Sequence, residues 1–98
     1  MIEVRQTEVF SEWLRALRDR RAKRIIAARI ERLAHGNPGD VKPVGRSVSE
    51  LRVSYGPGYR VYFVKRGEVL VLLLCGGDKS SQVGDIAKAL AMAKELED

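Results

Sequence analysis

The first residues alternate. Ile2 and Val4 are apolar, Glu3 and Arg5 are charged, and residues 2–6 read as a short strand. Thr7 follows, a residue type that caps helix N-termini. Val9, Phe10, Trp13, Leu14 and Leu17 then recur at three- and four-residue intervals, which predicts a helix over 8–18. Asp19 repeats the capping signal. A second helix is predicted to about residue 34, with Ala22, Ile25, Ile26, Ile30 and Leu33 along one side. His35-Gly36-Asn37-Pro38-Gly39-Asp40 stops it. With a break of only about one or two residues between them, the helices are expected to fold back as an antiparallel hairpin.

Beyond Asp40 the period shortens. Leu51, Val53 and Tyr55 alternate with Arg52 and Ser54. Gly56-Pro57-Gly58 is a turn, 59–65 a further strand, and Arg66-Gly67 a tight hairpin turn. Residues 69–75 are apolar without interruption, the pattern of a central strand covered on both faces. After Gly76-Gly77-Asp78-Lys79-Ser80, a last helix is expected from near Ser81, with Ser80 or Ser81 as its cap. Val83, Ile86, Leu90, Ala93 and Leu96 lie along one side of it. The order β-α-α-β-β-β-α predicts an α+β fold. It consists of a small, mostly antiparallel sheet of about four strands, a helical hairpin on one face and a C-terminal helix.

Composition narrows the chemistry. The 98 residues suit one domain spanning 1–98, and 45% apolar with 32% charged residues is the balance of a folded protein. One cysteine, Cys75, and one histidine, His35, exclude a disulfide scaffold and argue against a zinc site built from those ligands. No metal and no cofactor are expected. The start carries no apolar signal region, and the longest apolar run is too short to span a membrane, so a cytoplasmic protein without a membrane partner is the expectation. The net charge of +5 is unevenly spread. Between Arg15 and Arg32 eight cations face two anions, Asp19 and Glu31, and the remainder is close to neutral. Arg20, Arg21, Lys23, Arg24 and Arg32 are therefore expected to form a basic face suited to nucleic acid or to an acidic protein segment.

Strand alternation also gathers chemistry. If Val61 and Phe63 face the hairpin, Arg60 and Tyr62 face the other way, and so do Arg52 and Ser54 beside Leu51 and Val53. Lys79, in the loop past the apolar strand, reaches the same area. Guanidinium groups pair two phosphate oxygens at once, so such a cluster suits a phosphate. The plainer alternative is a merely polar outer face, with Tyr62 packed under the C-terminal helix. Lys79 stands out because a lysine in a first helical turn opposes the helix dipole. The glycine-rich loop lacks the G-x-x-x-x-G-K-[ST] phosphate-loop pattern. His35 reads as a cation at a helix end, Cys75 as a core thiol, Asp78 as a loop acid and Asp85 as a first-turn acid.

Several segments together resemble a known family. They are Leu51-Arg52-Val53, Tyr55-Gly56-Pro57-Gly58-Tyr59-Arg60-Val61-Tyr62-Phe63, Leu72-Leu73-Leu74-Cys75-Gly76-Gly77-Asp78-Lys79-Ser80-Ser81-Gln82 and Asp85-Ile86. The chain is similar to the RelE/ParE superfamily of bacterial toxins, and within it to the HigB-like, phage Gp49-like addiction module killer proteins. The resemblance implies the toxin of a type II toxin–antitoxin system. Its partner would be a cognate antitoxin, in this branch often a helix-turn-helix protein. It further implies an mRNA endonuclease acting on the ribosome to inhibit translation, with DNA gyrase as the alternative target met among ParE relatives. As a ribonuclease, it would use Arg60 for transition-state charge, with Lys79 and Arg52 sharing that role or holding flanking phosphates. Tyr62 would stack on a base or orient the 2′-hydroxyl. The alanine-rich C-terminal helix carries no tyrosine or histidine to serve as general base.

Overall fold

The computed structural model describes residues 2–96. Among these the order is β1 (Glu3–Gln6), α1 (Glu8–Ala16), α2 (Arg20–Ala34), β2 (Val41–Gly45), β3 (Val48–Val53), β4 (Tyr59–Arg66), β5 (Leu70–Gly77) and α3 (Gln82–Leu96). A single turn of 3-10 helix at Lys79–Ser81 leads into α3. The strands form one sheet in the order β1-β5-β4-β3-β2, in which β1 runs parallel to β5 and every other pair is antiparallel. The fold is α+β, as the pattern predicts.

The sheet has five strands where about four were expected. The additional one is β2, and its residues hide it. Val41 and Val44 stand three apart instead of alternating, and Pro43 lacks an N–H. Both departures are tolerated because β2 is an edge strand whose pairing with β3 shifts register between Pro43 and Gly45. Strand β5 is covered on both faces, by α1 and by α3, which explains its unbroken apolar run. It is not the middle strand, which is β4, and Val69 lies outside it, exposed in the preceding turn.

Each face of the sheet has its own core. Leu51, Val53, Val61, Phe63, Val71 and Leu73 pack with Phe10, Ala22, Ile26 and Leu33 from α1 and α2. Val48, Tyr62, Val64, Leu74 and Cys75 pack with Ala89 and Ala93 of α3. Two adjacent residues, Leu74 and Cys75, share a face because Tyr62 pairs with Cys75 while Phe63 pairs with Leu73. Leu74 is thus the extra residue of a bulge. Thr7 serves two ends at once. Its side-chain oxygen accepts from the Phe10 N–H as the cap of α1, and its hydroxyl donates to the Leu74 carbonyl at 2.6 Å.

Helix α1 stops at Ala16, two residues before the predicted end, because Leu17 is already extended. Residues 17–19 form the connection, and α1 and α2 cover the same sheet face, α1 over β5 and β1 and α2 over β3. Asp19 caps α2, accepting from the Arg21 and Ala22 N–H groups at 2.9 and 3.1 Å. The Ala22 N–H and the Tyr55 hydroxyl hold its carboxyl below the usual aspartate value. A carboxyl depressed on folding adds stability that is complete above its unfolded pKa and is lost as pH falls through the folded one. Melting temperature should therefore drop as pH falls below about 4. In Asp19→Asn, which still caps, that part of the pH dependence should disappear.

Candidate functional site

Antiparallel register places Arg52 directly opposite Arg60. Like charges so placed repel, and each arginine turns to its own carboxylate. Arg52 donates from Nη2 and Nε to Asp40 Oδ1 at 3.0 and 3.3 Å. Arg60 Nε stands 3.8 Å from Glu50 Oε2, and its Nη1 donates to the Gly58 carbonyl at 3.3 Å. The third cation comes from the far end of β5. The Lys79 N–H donates to the Pro57 carbonyl, tying the loop after β5 to the turn before β4. Gly58, at φ +81°, lies between the two: a Cβ there would be 3.5 Å from both Arg60 Nη1 and Lys79 Cβ. Arg52, Arg60 and Lys79 thus line one open groove of about 270 Å³, together with Asp40, Val53, Ser54 and Gly58.

The fourth sequence candidate is not in the groove. Tyr62 lies on the predicted face, but α3 covers it and no part of the ring is exposed. It offers no surface on which a base could stack, and it touches substrate only if α3 moves. Its hydroxyl donates to Glu50 Oε2 at 2.9 Å. Burial, reinforced by that bond, pushes the phenol far above its usual pKa, so it stays a donor at any cellular pH.

Glu50 is a member of the site that no sequence motif marks. It is fully buried and also accepts from the Gln82 side-chain amide at 2.8 Å. The available signal was alternation: Glu50 shares a strand face with Arg52, opposite Tyr62. The loop cap also differs from expectation. Asp78, not Ser80 or Ser81, is the N-cap, accepting from the Ser80 N–H, and Ser81 closes a capping box. The bonds from the Ser80 hydroxyl and the Ser80 and Ser81 N–H groups hold the Asp78 carboxyl below its ordinary value. Lys79 therefore sits in a 3-10 turn ahead of α3, exposed at the groove.

Two glycines set the floor beneath this loop. A Cβ on Gly76 would overlap the Trp13 ring, and one on Gly77 would overlap the Asp85 carboxylate. Trp13 therefore sits directly on the β5 backbone, while on the other side Asp85 takes the Ser81 hydroxyl. Cys75 is buried, and burial pushes its thiol up to about 11. His35 caps the C-terminus of α2, its Nδ1 2.9 Å from the Glu31 carbonyl. Among the described residues, no three histidine, cysteine or acidic side chains are grouped to hold a metal ion, and no helix is long and apolar enough to cross a membrane.

The basic face of α2 is only partly as expected. Arg20, Arg21, Arg24 and Arg32 are exposed. Lys23 is half-buried, its Nζ donating to the Arg15 carbonyl at 3.0 Å. Arg21 lies over the Tyr55 ring, 5.7 Å from its centroid, and the Tyr55 hydroxyl donates to Asp19. Arg29 turns inward and bonds the Arg52 and Pro38 carbonyls, which braces the strand that carries Arg52.

Residues 12–96 match the family described as phage derived protein Gp49-like. An uncharacterized protein of Haemophilus influenzae is 50% identical over 95 residues, which is 97% of this chain and 96% of that protein. The match to the family takes in all of β2 to β5 and α3, and with them every residue of the groove, so the chain belongs to the phage-derived Gp49-like family, a family associated with addiction-module toxins.

Proposed function

We propose that this chain is the toxin of a type II toxin–antitoxin pair and acts as a metal-independent, ribosome-associated mRNA endonuclease that its antitoxin neutralises. One observation carries the reading: Arg52, Arg60 and Lys79, from three separate segments, line a single groove. In RNA cleavage the 2′-oxygen attacks the adjacent phosphorus and the 5′-oxygen leaves. Negative charge builds on the non-bridging oxygens, and fixed cations aimed at that charge lower the barrier. Arg60, held on a strand, takes this role, while Lys79 and Arg52 hold the same or a flanking phosphate.

Induction in cells tests the reading when RNA 5′ ends are mapped beside plasmid supercoiling. New 5′ ends inside transcripts, suppressed by co-expressed antitoxin, are the expected result. Growth arrest with intact transcripts and altered supercoiling would overturn it and make the protein a gyrase inhibitor instead.

The exposed arginines of α2 supply the sequence-independent part of RNA association in this reading. Reversing charge at Arg21 and Arg24 should weaken ribosome co-sedimentation and flatten its salt dependence by about one unit of log–log slope for each phosphate no longer neutralised. Unchanged binding across the salt series would confine these arginines to another partner, such as the antitoxin.

A further inference from the structure

Glu50 is buried with unfilled capacity. Its Oε2 takes the Tyr62 hydroxyl and the Gln82 amide and stands 3.8 Å from Arg60 Nε. Its Oε1 has no hydrogen-bond partner, and neither has Arg60 Nε, though both atoms are buried. The Arg60 side chain is itself only 12% exposed. A buried ion pair of this kind gives little stability, because desolvation offsets the attraction, and an apolar residue of similar size would fill the place at lower cost. Packing therefore does not account for a glutamate here.

The arrangement does account for the direction in which Arg60 points. Glu50 attracts the Nε edge of the guanidinium, and the Gly58 carbonyl takes Nη1. Arg60 nonetheless lines the groove, so both contacts hold a side chain that borders it. We propose that Glu50 is a positioning residue for Arg60: its charge holds the guanidinium by its Nε edge where the side chain lines the groove, and Tyr62 and Gln82 lock the carboxylate in place. The proposal rests on the reading of the groove as a phosphate site. Both residues of the lock have features suited to this task. Tyr62 remains protonated and so remains a donor, and Gln82, the first residue of α3, joins that helix to the site.

The test uses the full chain and the near-isosteric Glu50→Gln, which keeps an oxygen for Tyr62 but removes the charge. Two measurements separate positioning from folding. The first is single-turnover cleavage of ribosome-bound mRNA beside affinity for an oligonucleotide blocked by 2′-deoxy substitution. The second is the Arg60 Nε–H resonance in a ¹H–¹⁵N spectrum. In folded Glu50→Gln the rate should fall on the order of tenfold or more, while oligonucleotide affinity changes less than about threefold. The Arg60 resonance should shift and broaden. Gln82→Ala and Tyr62→Phe, each removing one lock, should show the same signature more weakly, and Lys94→Ala should show none of it. An unchanged rate with an unchanged resonance in folded Glu50→Gln overturns the proposal. If that variant does not fold, the same null result in folded Gln82→Ala overturns it. Should the wild-type chain cleave no RNA, the ribonuclease reading falls, and the Arg60 resonance still decides whether Glu50 holds the guanidinium.

Discussion

Arg60→Lys should fold normally and lose roughly a hundredfold in transcript cleavage. Removing one transition-state interaction of this type costs about 3 kcal/mol. Lysine keeps the charge that Glu50 needs nearby, so the buried carboxylate is not left alone. It cannot reproduce the planar fork, which donates to the Gly58 carbonyl and, in the proposed function, would pair two phosphate oxygens. Arg60→Ala should be at least as inactive, but it also strands Glu50, and removing one member of a buried pair is strongly destabilising. The lysine variant is therefore the sharper experiment. Lys79→Ala should fall between these and the wild type, because its ammonium is exposed and acts as a point charge. His35→Ala, at the far end of α2, should leave cleavage intact. The measurement is cleavage rate on ribosome-bound mRNA, with circular dichroism reporting the folded fraction. Full cleavage by Arg60→Lys would remove the guanidinium from the mechanism.

The second large effect is on stability. Gly76→Ala forces a methyl into a rigid indole ring that is itself wedged against Phe10 and Tyr59. Overpacking of this kind costs about 1–3 kcal/mol, and in a domain of this length each kcal/mol moves the melting point by roughly 4–8 °C. A drop of roughly ten degrees is expected. Reducing the ring with Trp13→Leu in the same chain should restore part of it, because the two residues press on each other and their effects do not add. Gly77→Ala acts on the other side. Its methyl would displace Asp85 from the Ser81 hydroxyl, so the Lys79 turn should shift and activity should fall along with stability. Melting curves of the single and double variants check the first claim. Cleavage by folded Gly77→Ala checks the second.

What the sequence made legible follows from how local each signal is. Thr7 and Asp19 could be recognised as caps because a cap is a contact over two or three residues. The faces of β4 could be read because alternation is a property of consecutive positions, and Arg52, Arg60 and Lys79 do meet. Strand β2 was hidden because its pairing depends on a bulge and a proline at a sheet edge, which leave no period to detect. Tyr62 lies on the face that alternation assigns it and is packed under α3, the plainer of the two readings open to it; alternation says which side a residue is on and not whether a helix lies over it. Glu50 was missed for a related reason. Its partners, Tyr62 and Gln82, are 12 and 32 positions away, and a lone carboxylate in a strand gives no hint of either.

The place of β5 between β1 and β4 governs how the chain can fold during synthesis. Glu3 and Leu70 are partners although they are 67 positions apart, and pairing over such a distance must overcome a large loop-closure entropy, which slows folding. Until β5 has left the ribosome, β1 has no strand to join, and one edge of β4 stays open. Lys79 and Gln82 come later still. A nascent chain therefore exposes Arg52 and Arg60 on an unfinished ribbon, with Glu50 uncovered and the third cation missing. The groove is assembled only when Lys79 follows β5, so a translation product that stops within β5 has an unfinished sheet, and one that stops just after it has a sheet without the third cation.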